Sequence, residues 1–262
     1  MAPTLTAASG HAGGAAGIAL HDGLTWADVD CGGVKLHFVV DTGAASSCVN
    51  LAAAKRLGLR LGAPLSVLGV DGGATGYECA GFDATVGGMR LPEEVVALDL
   101  SGPARGCGKG IDGLIGADFF RGKVVRIDYA RRVLSYEGRL ADGGGMRLRF
   151  ENGVICVPVA IDGGRARWTR LDTGCTDALQ WCEGACGGVS GRQRSVALAA
   201  ATGCGRRAEV VVGTERTVRI EQVPVRMRGK EIFPGEAGLL GNGVLSRFCV
   251  TIDGIGNRLK LE

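Results

Sequence analysis

The chain is written twice. Val34-Lys-Leu-His-Phe-Val-Val-Asp41-Thr-Gly43 has a counterpart in Arg165-Ala-Arg-Trp-Thr-Arg-Leu-Asp172-Thr-Gly174. Each copy follows a turn signal, Asp30-Cys-Gly-Gly33 in the first half and Asp162-Gly-Gly164 in the second. Further on, Gly113-Leu-Ile-Gly116 is matched by Gly238-Leu-Leu-Gly241. Both halves close alike: Val125-Arg-Ile-Asp128 leads to Arg132-Val-Leu-Ser-Tyr136, and Val250-Thr-Ile-Asp253 leads to Arg258-Leu-Lys-Leu261. Four matches in one order make each half a structural unit. Asp142-Gly-Gly-Gly145 breaks the hydrophobic pattern between them. The expected organisation is a flexible tail over residues 1–23, a first lobe over 24–140 and a second over 146–262.

The units read as mainly β with a few short helices. Glycine occurs 46 times, roughly twice its usual share. With 46% hydrophobic residues and no collagen period, this means many turns rather than disorder. Val34, Leu36, Phe38 and Val40 alternate with other residues, the period of a half-buried strand ending at Asp41. Asn50 is a good N-cap for a helix starting at Leu51, and Gly58 suits its left-handed stop. Asp71-Gly72 between apolar residues signals a hairpin. A matching hairpin is expected over 196–212, with Gly203-Cys-Gly205 at its tip.

Two Asp-Thr-Gly turns at matching positions carry a chemical meaning that one would not. Two carboxylates held close together cannot both ionise, so one pKa falls and the other rises. The ionised partner can then take a proton from water while the protonated one hydrogen-bonds a carbonyl. Asp41 and Asp172 are the candidate catalytic pair. Thr42 and Thr173 offer hydroxyls to tie the two turns together, and Gly43 and Gly174 let backbone amides approach the carboxylates. Leu114, Ile115, Leu239 and Leu240 are expected to pack behind the turns, where Gly116 and Gly241 allow close passage.

This pattern resembles the pepsin and retropepsin superfamily of aspartic peptidases. The likeness is strongest in Val39-Val-Asp41-Thr-Gly-Ala44, Ala54-Lys-Arg-Leu-Gly-Leu59 and Ile111-Asp-Gly-Leu-Ile-Gly-Ala-Asp-Phe-Phe120. The resemblance implies a bilobal acid-protease fold, an aspartic endopeptidase acting on peptide or protein substrates, and no cofactor. It also implies a hairpin flap over the substrate, here Val67 to Tyr77, with Gly72 and Gly73 giving mobility. Tyr77, several residues past the tip and without the family's local pattern, either takes the substrate-binding role of a flap tyrosine or simply packs in the hairpin, packing being the favoured reading. Because one chain carries both turns, a monomer suffices. The alternative is a non-catalytic module of this type that grips extended peptides; retention of both aspartates and both threonines favours the enzyme.

The second half departs from the pattern. Cys175 follows its Asp-Thr-Gly where Ser or Thr is usual, and is expected to be a spacer. Arg165, Arg167 and Arg170 stand where the first half is mostly apolar. They are expected to lay their stems along an edge with their charges in water. Turned inward, Arg170 would instead favour acidic substrate groups or depress the pair's pKa.

Other chemistries fit less well. The net charge of +3 comes from scattered basic residues, which excludes binding of nucleic acid by charge alone. His11, His21 and His37 lack metal-ligand spacing, and no His lies near Cys182 and Cys186, so no metal site is expected. No Gly-x-Ser-x-Gly elbow is present, and Gly106-Cys-Gly-Lys-Gly110 lacks the spacing of a phosphate loop. No apolar run is long enough for a transmembrane helix. Ten cysteines fit either disulfides or buried thiols; a periplasmic or secreted location is expected.

Overall fold

The computed structural model describes residues 14–70, 72–138, 140, 144–183, 194–196 and 205–262. These form a mainly β protein with four short helices, Leu51–Arg56, Ser101–Gly106, Ala117–Phe120 and Asn242–Leu245. Among the described residues, no helix is long and apolar enough to cross a membrane.

Each half builds the same local frame around its Asp-Thr-Gly turn. In the first, the strand Leu24–Cys31 turns at Gly32 and Gly33, both at positive φ, into the antiparallel strand Val34–Val40. Glycine tolerates that left-handed geometry at no steric cost. Leu36, Phe38 and Val40 enter the main core, while Val39 points into a second apolar cluster on the other face. The strand therefore arrives at Asp41 buried on both sides. Gly113–Ile115 then runs parallel to it, with Leu114 opposite Val39. In the second half, Val154–Ile161 reverses at Asp162 and Gly163 into Arg167–Asp172, and Gly238–Gly241 lies parallel to that strand with Leu240 opposite Leu171.

The two frames are joined by their closing strands. Val124–Asp128 pairs antiparallel with Cys249–Asp253, setting Val125 opposite Ile252 and Ile127 opposite Val250. These four apolar side chains belong to one core that also takes Phe119, Phe120, Leu240 and Leu259. A polar link reinforces the join: Asn242 accepts the Tyr129 hydroxyl at 2.8 Å and donates to the Gly23 carbonyl at 2.6 Å. The four strand side chains, Tyr129 and Asn242 are buried, so the halves are fixed relative to one another mainly by core packing.

The helix expected after Asn50 forms at Leu51–Arg56. Asn50 Oδ1 accepts the Ala52 amide, and Gly58 at φ 68° ends the turn. The hairpin expected around Gly72 forms between Arg60–Gly69 and Gly72–Ala80. Asp71, most of the expected second-half hairpin tip and part of the join around Asp142 lie outside the described residues.

The tail expected over residues 1–23 needs correction. Ala15–His21 is a strand paired on one side with Leu24–Cys31 and on the other with Val133–Glu137. Its sequence hid this because only Ile18 is fully buried, so the alternation that marks a strand is missing. Asp22 and Gly23, both at positive φ, make the tight reversal. Ile18→Ala is expected to lower the unfolding free energy by about 2–4 kcal/mol, the cost of emptying a buried isoleucine site. Urea denaturation checks this; an unchanged curve would mean that the strand does not dock.

Candidate active site

Asp41 and Asp172 each stand at the end of a buried strand and are both wholly shielded from solvent. The turns that follow are locked to one another reciprocally. Thr42 Oγ1 donates to the Leu171 carbonyl at 2.7 Å, and Thr173 Oγ1 donates to the Val40 carbonyl at 2.7 Å. Each hydroxyl also accepts the other threonine's amide, at 3.0 and 3.1 Å. Every bond crosses from one half to the other, and all are buried, where a hydrogen bond is electrostatically stronger and costly to leave unmade.

The glycines set the spacing. A Cβ on Gly43 would sit 2.4 Å from the Asp172 carboxyl carbon, and one on Gly174 would sit 2.5 Å from that of Asp41. Each turn thus needs glycine because the opposite carboxylate occupies the space. Asp41 Oδ1 accepts the amides of Gly43 and Ala44 at 3.0 and 3.1 Å, and Asp172 Oδ1 accepts that of Gly174 at 2.9 Å. The Oδ2 atom of each is buried without a hydrogen-bond partner among the described residues. The supports behind the turns also match: Ala117 donates to the Ala44 carbonyl and Asn242 to that of Cys175, both at 2.7 Å.

Burial dominates the electrostatics. It raises the Asp41 carboxyl to about 6, against the pull of its two amides, of Arg170 and of a hydrogen bond from Asp172. Asp172 is pushed well above the carboxylate range, first by burial and then by the charge of Asp41. With two amides on its carboxylate against one on Asp172, Asp41 has the seat that better supports a charge, and the pair titrates as a unit that holds a proton between its members.

Arg170 does not lie along an edge in water, as expected from sequence; it is 1% exposed. Its Nε and Nη2 each reach a carboxylate oxygen of buried Glu236 at 2.6 Å, its Nη1 donates to the Gly43 carbonyl at 2.9 Å, and Phe233 covers its face. Held this way, it has no free donor fork to offer an acidic substrate. Sequence reasoning missed Glu236 and Phe233. A signal existed in the repeat: Arg170 aligns with Val39 and Glu236 with Ile111, which are buried in one cluster of the first half. Opposite charges at two aligned core positions can only be buried as a pair. Arg165 is exposed, as expected, whereas half-buried Arg167 stacks over Trp181.

Cys175 is buried against Phe233 and Leu239, with Gln180 donating to its sulfur at 3.6 Å. Burial and the charge of Asp172 raise its thiol well above its usual value, so it is neutral, as a spacer should be. The eight described cysteines are all unbridged.

The hairpin bearing Gly72 and Gly73 reaches across to the second half. Leu68 and Val70 pack on Cys175, Ile232 and Phe233. Arg194–Val196 adds to its outer edge, parallel to Arg60–Gly69. A cavity of about 720 Å³ lies beside this contact, between Leu68–Gly72 and residues 228–232. Gly72 and Gly73 are exposed at the hairpin end, whereas Tyr77 is half-buried against the main core. Tyr77 thus serves the packing of the hairpin base.

The raised pKa values have a consequence for stability. An unfolded chain carries both groups near the ordinary carboxylate value of about 4. Above that pH the folded protein holds more protons than the unfolded one, so stability falls as pH rises through about 6 and beyond. Asp172→Asn removes the charge that is hardest to form. It is expected to raise Tm above about pH 6, on the order of 5 °C, with the gap closing below about pH 4. A pH-independent gap in thermal scans would contradict the coupled burial.

Residues 27–119 match the family model described as aspartyl protease. The match spans Asp41, Thr42 and Gly43, the hairpin and Gly113–Ile115, and stops short of the second Asp-Thr-Gly turn. A comparison with curated proteins finds no match.

Proposed function

We propose that this chain is an aspartic endopeptidase in which Asp41 and Asp172 activate a water molecule for attack on a peptide carbonyl. The observation that carries the reading is the reciprocal threonine lock, which sets two desolvated carboxylates face to face with their Oδ2 atoms unpartnered. Asp41, with two amides to stabilise its charge, acts as the base that takes the proton of water. Asp172 keeps the shared proton and donates it to the carbonyl oxygen, which gains negative charge as the tetrahedral intermediate forms. As the C–N bond breaks, the newly protonated Asp41 supplies a proton to the leaving nitrogen and Asp172 takes one back from a hydroxyl of the gem-diol, which restores the shared proton.

Each half contributes one lobe, 24–140 and 146–262, the strand Ala15–His21 being added to the first. A single chain completes the site and works as a monomer. Substrate enters when the hairpin end lifts from Ile232 and Phe233, which explains how aspartates without solvent exposure can meet a peptide. Closure then removes water from the reacting groups.

A digest of a peptide library from about pH 3 to about pH 8 tests the reading. Cleavage without added metal is expected, with a bell-shaped kcat/KM profile whose acid limb lies at or below about pH 6. Asp41→Asn and Asp172→Asn are each expected to lower kcat at least about a thousandfold, since the two carboxylates act as a unit. Near-normal turnover in either variant would falsify the assignment. Saturable peptide binding without cleavage by the unaltered chain would point to a binding module instead.

A further inference from the structure

We propose that Arg170 is a positioning residue for the paired aspartates: clamped by Glu236, its guanidinium holds the first Asp-Thr-Gly turn from the second half and keeps a fixed positive charge beside both carboxylates. The inference rests on the reading of Asp41 and Asp172 as the reacting pair and concerns how that pair is held and charged.

The geometry is specific. Arg170 and Asp172 are two apart on one strand, so their side chains share a face. The two bonds to Glu236 fix the guanidinium plane, and Phe233 at 3.5 Å seals it from above. The remaining edge points at the Gly43 carbonyl. Gly43 is also the residue whose amide binds Asp41 and whose missing side chain admits Asp172. Arg170 therefore grips the peptide unit between Gly43 and Ala44, whose amide also binds Asp41, at the residue whose missing side chain admits Asp172. The threonine lock fixes the turns at their threonines; the guanidinium fixes the next residue along.

The first half shows what the pair adds. At the aligned positions it uses Val39 and Ile111, so packing alone needs no charge there. An apolar pair of similar volume is often as stabilising as a buried ion pair or more so. The charge thus serves something other than stability. The other charged groups near the aspartates are already paired or neighboured by opposite charge: Asp177, behind Cys175, is bound by Arg226, and Asp118, behind Cys48, lies near Lys123. Arg170 is the cation that lowers the pKa of both Asp41 and Asp172.

The test compares pH–rate profiles of the full chain with those of Arg170→Lys and the double variant Arg170→Met/Glu236→Met, whose neutral core avoids stranding a buried carboxylate. Loss of the cation raises both ionisations, so both limbs of the double variant's bell are expected to move up by about one pH unit. Loss of the grip on Gly43 is expected to lower kcat on the order of tenfold with little change in KM. Arg170→Lys keeps the charge and loses the fork; its limbs should stay in place while kcat falls. A folded double variant with the parent profile and kcat would overturn the proposal. If the double variant does not fold, Arg170→Lys with parental kcat overturns it, and a reduced kcat with unmoved limbs supports it. Titration of the two aspartates by carboxyl 13C shifts gives a readout free of turnover. If the chain cuts no peptide yet the double variant moves these titrations upward, the peptidase reading fails and the electrostatic role of Arg170 stands. If the parent cuts peptides and the titrations do not move, the role of Arg170 fails alone.

Discussion

Two carboxylates that face each other without solvent are the constraint from which most of this structure follows. Left alone, such a pair would push the chain apart as it ionised. Four buried hydrogen bonds between Thr42, Thr173, Val40 and Leu171 oppose that. Each threonine carries a bond to the other half, so neither turn can hold its geometry unless both halves are docked. This explains why the halves share a core across Val124–Asp128 and Cys249–Asp253 rather than meeting through a wet interface. It also explains the glycines at 43 and 174, whose missing side chains are the space that the opposite carboxylate fills.

The duplication is symmetric in backbone and unequal in chemistry. Both halves set a parallel strand beside the aspartate strand and hang the following turn on a 2.7 Å backbone bond. Within that frame, the first half fills the space beside its strand with Val39 and Ile111, and the second with Arg170 and Glu236. The turns differ as well in how they hold the two carboxylates. Asp41 has two amide donors on its carboxylate and Asp172 one, so the two are held unequally. A pair of identical groups acquires distinct tendencies through what surrounds each one.

The repeat made the frame legible before any coordinates. Asp-Thr-Gly twice, a Gly-ended apolar strand twice, and the Asn50 cap with the Gly58 stop are local signals with local causes, and each lies where sequence placed it. Three features were not legible, for physical reasons. The strand Ala15–His21 buries one side chain fully, too few to print a period. Tyr77 shares the hairpin with Gly72 and Gly73; its distance from the hairpin end favoured packing without excluding a flap role, because the side to which a ring turns is set by the core it meets. Arginine at 170 reads as a surface residue because an unpaired guanidinium belongs in water. Its partner Glu236 is remote in the chain, and only alignment of the two halves brings them into register.

One site per chain, made from both halves, is the central proposal. Isothermal calorimetry with a statine-type transition-state mimic measures this most directly, run in buffers of differing ionisation heat to count protons. One mimic is expected per chain, with proton exchange that follows the pH as Asp41 titrates and with binding lost in both Asp41→Asn and Asp172→Asn. One mimic per two chains, or binding indifferent to either substitution, would contradict it.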